Sequence, residues 1–585
     1  MKLLLLVLAC FAATAASAQD LALRGATLVN PGAAPVPNAV VVVRDGRIIQ
    51  AGPAGRVRIP EGVEVIDATG KWLVPGYVDS HVHFFQSGGL YTRPDGIDLR
   101  AVRPHETEIA AIKADLDETF ARYLASGITS VADVGGPMWN FEVRERAAAN
   151  PRAPLVAVAG PLISTWAPPN LTETDPPIIA AATPEEARAL VRAQLPRRPD
   201  FIKLWYVVLP GQTPEQFLPI MQAAVEEAHE AGVRVAVHAP ELETARAALR
   251  AGADILVHGV EDRPVDAPFI DLLRERRAIY MTTLDVYSGY LRTFTGRNGF
   301  TEREYALADP EVMGTLSDLR HLSDSLVPAG IRRLAGMELP PQPLATQIAN
   351  LRTVKEAGVP IAMGTDAGNI GTLPGPSIYR ESALMARAGM SPSEVLASAT
   401  TVGAQVMGRE AELGTIARGR RADMVLLDAD PLADVANLSR IALVVKGGRA
   451  FRQTELIPAG PADIVQRQLN AYNARDIDAF LATYHPDARL YQFPDTLQRQ
   501  GHEAMRRTYE SLFQELPDLH AHVPRRIVVG NHVIDEEIVS GLPNDMIFQA
   551  TAIYEVTDGL ISKVWFIEGG PVERSPSTPA PEPAR

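Results

Sequence analysis

A small set of residues in this chain of 585 combines types and spacings suited to metal-assisted chemistry. In "GYVDSHVHF", His81 and His83 stand two apart. Side chains alternate along an extended strand, so both imidazoles project from one face and can reach one ion. The pattern alone is weak, because a second pair, His520 and His522, occurs in "DLHAHVP". The first pair differs in its company. Lys203 in "DFIKLWY", His238 in "VRVAVHAP", His258 in "ADILVHG" and Asp366 in "IAMGTDAG" each lie at or near the C-terminal end of an apolar run. Four imidazoles and a carboxylate are donors suited to zinc or a similar divalent ion. Lys203 is the unusual member. As an ammonium it would repel cations, whereas a neutral amine can add carbon dioxide to give an anionic carbamate able to bridge two of them. The plain alternative is a lysine that snorkels or pairs with an acid.

Residues so far apart in sequence need a scaffold that gathers strand ends. Over residues 76–407, apolar strand-like runs alternate with amphipathic stretches, as in "PEQFLPIMQAAVEEAHEAG" followed by "VRVAVHAP". This predicts an α/β fold with a (β/α)₈ TIM barrel, whose active sites form at the C-terminal ends of the strands. Residues 19–75 and 408–455 are β-rich runs broken by turn signals, and they predict one small β-sandwich domain built from both flanks. After the linker-like "LIPAGPAD", residues 462–570 predict an independent α+β domain. The final residues 571–585, "PVERSPSTPAPEPAR", predict a disordered tail.

Residues 1–18 read as a signal peptide: Lys2, an apolar run from Leu3 to Ala13, then Ala16-Ser17-Ala18. Cleavage there predicts a periplasmic or secreted protein without membrane insertion. The single cysteine, Cys10, lies in that segment, leaving the mature chain no thiol ligands; lipid modification of Cys10 is the alternative. A net charge of −14 and a pI near 5.4 argue against nucleic-acid or anionic-membrane partners and for a small-molecule substrate.

The strand-end constellation, with "GITSVADVGG", "AHEAGVRVAVHA", "GTDAG" and "LGTIARGRRADMVLLDADPLADVANLSRIALVVKGGR", resembles the amidohydrolase superfamily, in particular its imidazolonepropionase-like and Xaa-Pro dipeptidase-like branch. The resemblance covers most of residues 21–452. It implies that His81, His83 and Asp366 hold one metal and His238 and His258 a second, bridged by a carboxylated Lys203, with zinc the expected ion. It also implies that Asp366 is the catalytic acid-base and that the substrate is an amide, a dipeptide or N-acyl amino acid. Two other readings stand beside it: a mononuclear cyclic-amide ring hydrolase or deaminase, and a non-catalytic exported ligand-binding protein. Trp205, Tyr206 and Tyr287 are candidate substrate contacts. His105, His229 and His321 read as surface residues. The segment after Thr283 reads as a lid, either a mobile loop or helices packed on the barrel mouth.

The C-terminal stretch "LNAYNARDIDAFLATYHPDARLYQF", then "GHEAMRRTYESLF" and "ISKVWFIEG", looks like a SnoaL-like domain of the nuclear transport factor 2-like fold, an α+β cone. Of its histidines, His485, His502, His520, His522 and His532, none is marked as catalytic. The expectation is ligand binding or dimerisation to a homo-oligomer, since fold alone does not fix function.

Overall fold

The run "AVVVVR" at residues 39–44 is apolar at both parities, and both faces of its strand are covered. Val41 and Val43 join Leu21, Leu23, Leu73 and Met424 on one side, while Val40 and Val42 join Ala22 on the other. The computed structural model containing this strand describes residues 20–171, 174–338 and 344–572; the predicted signal segment and residues 573–585 lie outside them.

The flanks meet in one eight-stranded sheet. Its order is Arg449–Phe451, Ile441–Lys446, Met424–Leu427, Trp72–Pro75, Leu21–Leu28, Val36–Arg44 and Arg47–Pro53, with Glu64–Asp67 also paired to Leu21–Leu28. In place of two separate layers, the sheet forks: Leu21 to Arg24 pair with Glu64 to Asp67, and Thr27 and Leu28 pair with Trp72 and Leu73. Gly25 sits at the fork with φ +94°, where an added Cβ would meet Thr69 Oγ1 at 2.5 Å. That position needs glycine.

The central strands are all parallel. One sheet holds Tyr77–Val82, Ile128–Asp133 and Leu155–Val158. The other runs Ile178–Ala180, Leu162–Ser164, Phe201–Trp205, Arg234–His238, Ile255–Val257, Ile279–Thr282 and Ile361–Met363. Hydrogen bonds link the two at both ends. Asp366 N donates to His81 O at 2.8 Å and His83 N to Ala367 O at 2.9 Å, while Asp200 N donates to Val158 O at 3.0 Å. Near-continuous apolar runs suit strands buried on both faces. Ile202, Leu204, Val235 and Val237 pack in one core, and Phe201 and Ala236 in another. Period two therefore carries Lys203 and His238 onto the Phe201 and Ala236 side.

The segment after Thr283 is helical, with Asp285–Phe294, Glu302–Leu307, Pro310–Thr315 and Ala329–Leu334. A capping box starts the second of these: Glu304 N donates to Thr301 Oγ1 at 3.2 Å and Thr301 N to Glu304 Oε2 at 2.7 Å. The C-terminal domain places helices Pro461–Ala474, Ile477–Ala482 and Gly501–Glu515 on a six-stranded sheet. The strand order is Thr496–Gln500, Tyr484–Gln492, Leu560–Val572, Ile547–Thr557, His532–Ser540 and His520–Val529. Residues 571 and 572, expected in the tail, extend strand Leu560–Val572, because Ile547 and Phe548 supply pairing partners for them.

A buried ion pair ties the flanking sheet to the parallel strands: Lys446 Nζ donates to Asp423 Oδ2 at 2.8 Å and to Thr129 O at 2.9 Å. Removing Asp423 strands the Lys446 ammonium, whereas removing Lys446 leaves Asp423 a second cation, Arg421, at 3.3 Å. Asp423→Ala is expected to lower unfolding stability by about 3–5 kcal/mol, read from denaturant midpoints. Lys446→Ala combined with Asp423→Ala should cost less than the two single losses added together.

Candidate metal centre

His81 and His83 straddle the end of strand Tyr77–Val82, and Asp366 follows strand Ile361–Met363. The three side chains converge. His81 Nε2 and His83 Nε2 are 3.3 Å apart, and each lies 3.2 Å from Asp366 Oδ1. The middle of that near-equilateral triangle is about 1.9 Å from each donor, so a small lift out of its plane gives the roughly 2.0–2.2 Å of zinc–nitrogen and zinc–oxygen bonds. Among the described residues these three form the one cluster whose donors all lie within 4.8 Å of one another. The donor set fits a divalent ion.

The remaining candidates surround this triangle. The His258 ring centroid is 4.9 Å from that of His81 and 4.6 Å from that of His238. Lys203, 2% exposed, lines the same cavity of about 260 Å³. Thus all six sequence-predicted ligands open onto one cavity. Two of them have strained backbones, His258 at φ +69° and Asp366 at φ +60°. Left-handed conformations cost energy for such residues and concentrate at functional sites. At His258 the strain also interrupts the alternation after Ile255 and Val257, which would otherwise aim the ring outward.

Second contacts orient the ligands. His83 Nδ1 lies 2.7 Å from Gly135 O and His258 Nδ1 lies 2.7 Å from Thr283 Oγ1, which frees each Nε2 for an ion. Burial holds His81 and His238 well below the ordinary imidazole range and pushes His258 down to about 3. The rings are therefore neutral, as ligands must be. Burial lowers Lys203 to about 7, with Asp366 opposing. Burial alone would raise Asp366, but the imidazoles, His81 foremost, hold it well below the usual carboxylate range.

Several contributors escaped the sequence reading. Asn369 Nδ2 donates to Asp366 Oδ1 at 2.7 Å, while Asn369 Oδ1 accepts from Tyr290 OH at 2.9 Å and from Arg93. Arg93 is forked onto Asp95 at 2.8 and 2.6 Å, so its charge is already balanced. Asp79 braces the His81 strand against Thr365, accepting from Thr365 Oγ1 at 2.6 Å; burial pushes its carboxyl up to about 7. The one sequence signal was Asn369, three residues after Asp366; Arg93 and Tyr290 sit in segments without a pattern.

Trp205 and Tyr287 line the cavity, with Leu162, Leu171 and Ile178 forming an apolar wall beside Trp205. Tyr206 is instead fully buried away from it, its hydroxyl donating to Pro214 O, because it lies one residue out of phase with Trp205. His105, expected at the surface, is 3% exposed in the first turn of its helix. His321 is also mostly covered, by the C-terminal domain. His229 is exposed as expected, 2.8 Å from Asp254.

Asn369→Ala should weaken metal retention by roughly 10- to 100-fold, the usual effect of removing a group that orients a ligand. Chelator competition reads it; unchanged retention would remove Asn369 from the site.

Comparison with known proteins agrees with this geometry. Residues 72–451 match the amidohydrolase family and residues 465–564 the SnoaL-like domain. Imidazolonepropionase of Geobacillus sp. (strain WCH70) is 25% identical over 71% of this chain and 90% of that protein. The match to imidazolonepropionase of Acidiphilium cryptum (strain JF-5), 32% identical, spans only 17% of this chain and 29% of that protein. A Bifidobacterium longum structure assigned as a prolidase is 26% identical with TM-score 0.55, over 74% of this chain and 95% of that one. A Xaa-Pro dipeptidase with bound methionine, 22% identical with TM-score 0.56, shares the fold over 74% of this chain and 100% of that one. The chain belongs to the amidohydrolase family, a family of metal-dependent hydrolases, and carries a SnoaL-like domain behind it.

Proposed function

We propose that this protein is an exported hydrolase of a carbon–nitrogen amide bond in a small molecule, a dipeptide or N-acyl amino acid, working at a two-metal centre inside a closed (β/α)₈ barrel. The observation that carries this reading is the donor triangle of His81, His83 and Asp366 with buried Lys203 and half-buried His238 and His258 on the same cavity. The hydrogen bonds joining the two parallel sheets support the closed barrel.

His81, His83 and Asp366 would hold one ion and His238 and His258 the other, with a carboxylated Lys203 between them. Zinc suits these donors. Bound ions would supply a water of lowered pKa and polarise the scissile carbonyl. The buried Lys203 amine, where neutral, would add carbon dioxide: its nitrogen forms the new bond to carbon as one C=O π pair moves onto oxygen, and the proton it loses passes to water, leaving a carbamate. Asp366 Oδ1 faces His81 and His83, which leaves Oδ2 to take a proton from the attacking water and pass it to the leaving nitrogen. The wall of Leu162, Leu171, Ile178 and Trp205 excludes water and receives an apolar arm of the substrate. The C-terminal domain is read as a cone that does not itself catalyse.

One observation favours a second reading. Among the described residues, His81, His83 and Asp366 alone approach within ion-binding distance, and curated relatives include imidazolonepropionases. A mononuclear cyclic-amide hydrolase would need no more. Metal analysis of protein prepared with bicarbonate separates the two. About two equivalents, falling towards one or fewer in Lys203→Ala together with loss of dipeptide and N-acyl amino acid hydrolysis, is the expected result. A single equivalent untouched by Lys203→Ala would support the mononuclear enzyme instead.

A further inference from the structure

The histidine pair that the metal centre does not use has a partner. His520 and His522 open the strand His520–Val529 and meet His321, which the inserted segment brings across from the amidohydrolase part. His321 Nδ1 and His520 Nε2 are 3.1 Å apart, within hydrogen-bond distance. The His522 ring stacks on His321 with centroids 3.9 Å apart and planes at 27°. His520 is 2% exposed. Nearby, Asn470 Nδ2 donates to Pro310 O at 2.7 Å, and Arg526 Nη1 stands 3.4 Å from Glu311 Oε1. The C-terminal domain therefore grips the helices that follow Thr283.

Those helices are also a wall of the substrate cavity. Tyr287 and Tyr290, on helix Asp285–Phe294, line it. Arg320, beside His321, donates from Nη2 to Gly296 O at 3.1 Å, just past the end of that helix. Phe294 and Leu316 share a core on which Tyr290, Leu319 and Leu322 pack. Tyr290 OH then reaches Asn369, the residue that holds Asp366.

We propose that the C-terminal domain braces the cavity wall through the contact of His321 with His520 and His522, and that acid releases this brace. The contact tolerates at most one charged ring: two imidazoliums cannot share the hydrogen bond of His321 with His520, and stacked cations at His321 and His522 repel.

The surroundings set the direction. Burial, then His522 and His520, push His321 down to about 2; burial, then Arg320, push His520 down to about 3; burial lowers His522. Arg320 and Arg475 face the cluster with positive charge, and Asp518 stands 3.8 Å from Arg320. Asp318 Oδ1 is 4.0 Å from His321 Nδ1, but burial pushes this carboxyl up to about 7 and its Oδ2 accepts from Tyr91 OH. An undocked imidazole takes its proton near 6.5. Since the docked values lie below that, docking is at full strength above about pH 6.5 and weakens progressively as pH falls. Asp318 and Glu311, both raised by burial, act in the opposite sense and offset part of the effect. His321 and His520, held furthest from the free imidazole, carry the larger shifts, so docking weakens on balance as pH falls below about 6.5.

Hydrogen exchange on the full chain tests this without reference to catalysis, after correction for the intrinsic pH dependence of exchange. Between about pH 7.5 and about pH 5, protection of Asp285–Phe294 and of His520–Val529 should fall roughly tenfold or more, while Phe201–Trp205 stays protected. In His321→Gln, and independently in His522→Gln, the acid response should vanish or shrink markedly, whatever the protection at neutral pH. Wild-type protection that does not change in acid, or a full acid response in both variants, overturns the proposal. Loss of amide hydrolysis alone would not bear on it.

Discussion

Four imidazoles, one carboxylate and one amine crowd a single cavity, His81, His83, Lys203 and Asp366 buried and His238 and His258 half-buried, and that crowding is the constraint to which the rest of the site is fitted. There the protein keeps His81, His238 and His258 neutral and the carboxylate ionised. Neutral nitrogens and an ionised oxygen at ligand spacing are what a divalent ion requires. Buried donors at this density would be costly without a cation to satisfy them.

The scaffold serves that requirement by construction. Parallel strands covered on both faces end at one side, so residues from different ends of the chain meet without long connecting loops. Where strand alternation would misplace a ligand, the backbone is strained into place, as at His258. Buried polar groups then fix the ligand-bearing segments: Asp79 joins the His81 strand to Thr365, and Asp133 accepts from Phe84 N at 3.1 Å and Gly135 N at 3.1 Å. The inserted helices close one wall and connect it to the C-terminal domain, so a domain far from the ligands can act on the cavity.

Much of this was legible in sequence, for reasons particular to each residue. His81 and His83 were readable because strand geometry converts a spacing of two into a shared face. Lys203, His238, His258 and Asp366 were readable because each ended an apolar run. Arg93 was not, since it lies in a connecting segment whose path is set by packing, and Tyr290 was not, since helix Asp285–Phe294 reaches the cavity only through the way its segment packs. Tyr206 was misplaced by one residue of phase, which in a strand reverses the direction of the side chain. The forked flanking sheet depended on Gly25, one turn signal among many. His321 read as a surface residue, and His520 and His522 as a pair without a role, because docking between distant segments leaves no periodic trace. The pair that served in the sequence as a warning against over-reading "HxH" proved to be a contact of a different kind.

Anomalous diffraction at the zinc edge, on crystals grown without chelator, tests the central claim most directly. The account predicts one peak within about 2.0–2.2 Å of His81 Nε2, His83 Nε2 and Asp366 Oδ1, and a second beside His238 and His258 about 3.5–4 Å away, with density for a carboxylated Lys203 between them. No peak at the His81, His83 and Asp366 triangle in protein that retains metal elsewhere would contradict it.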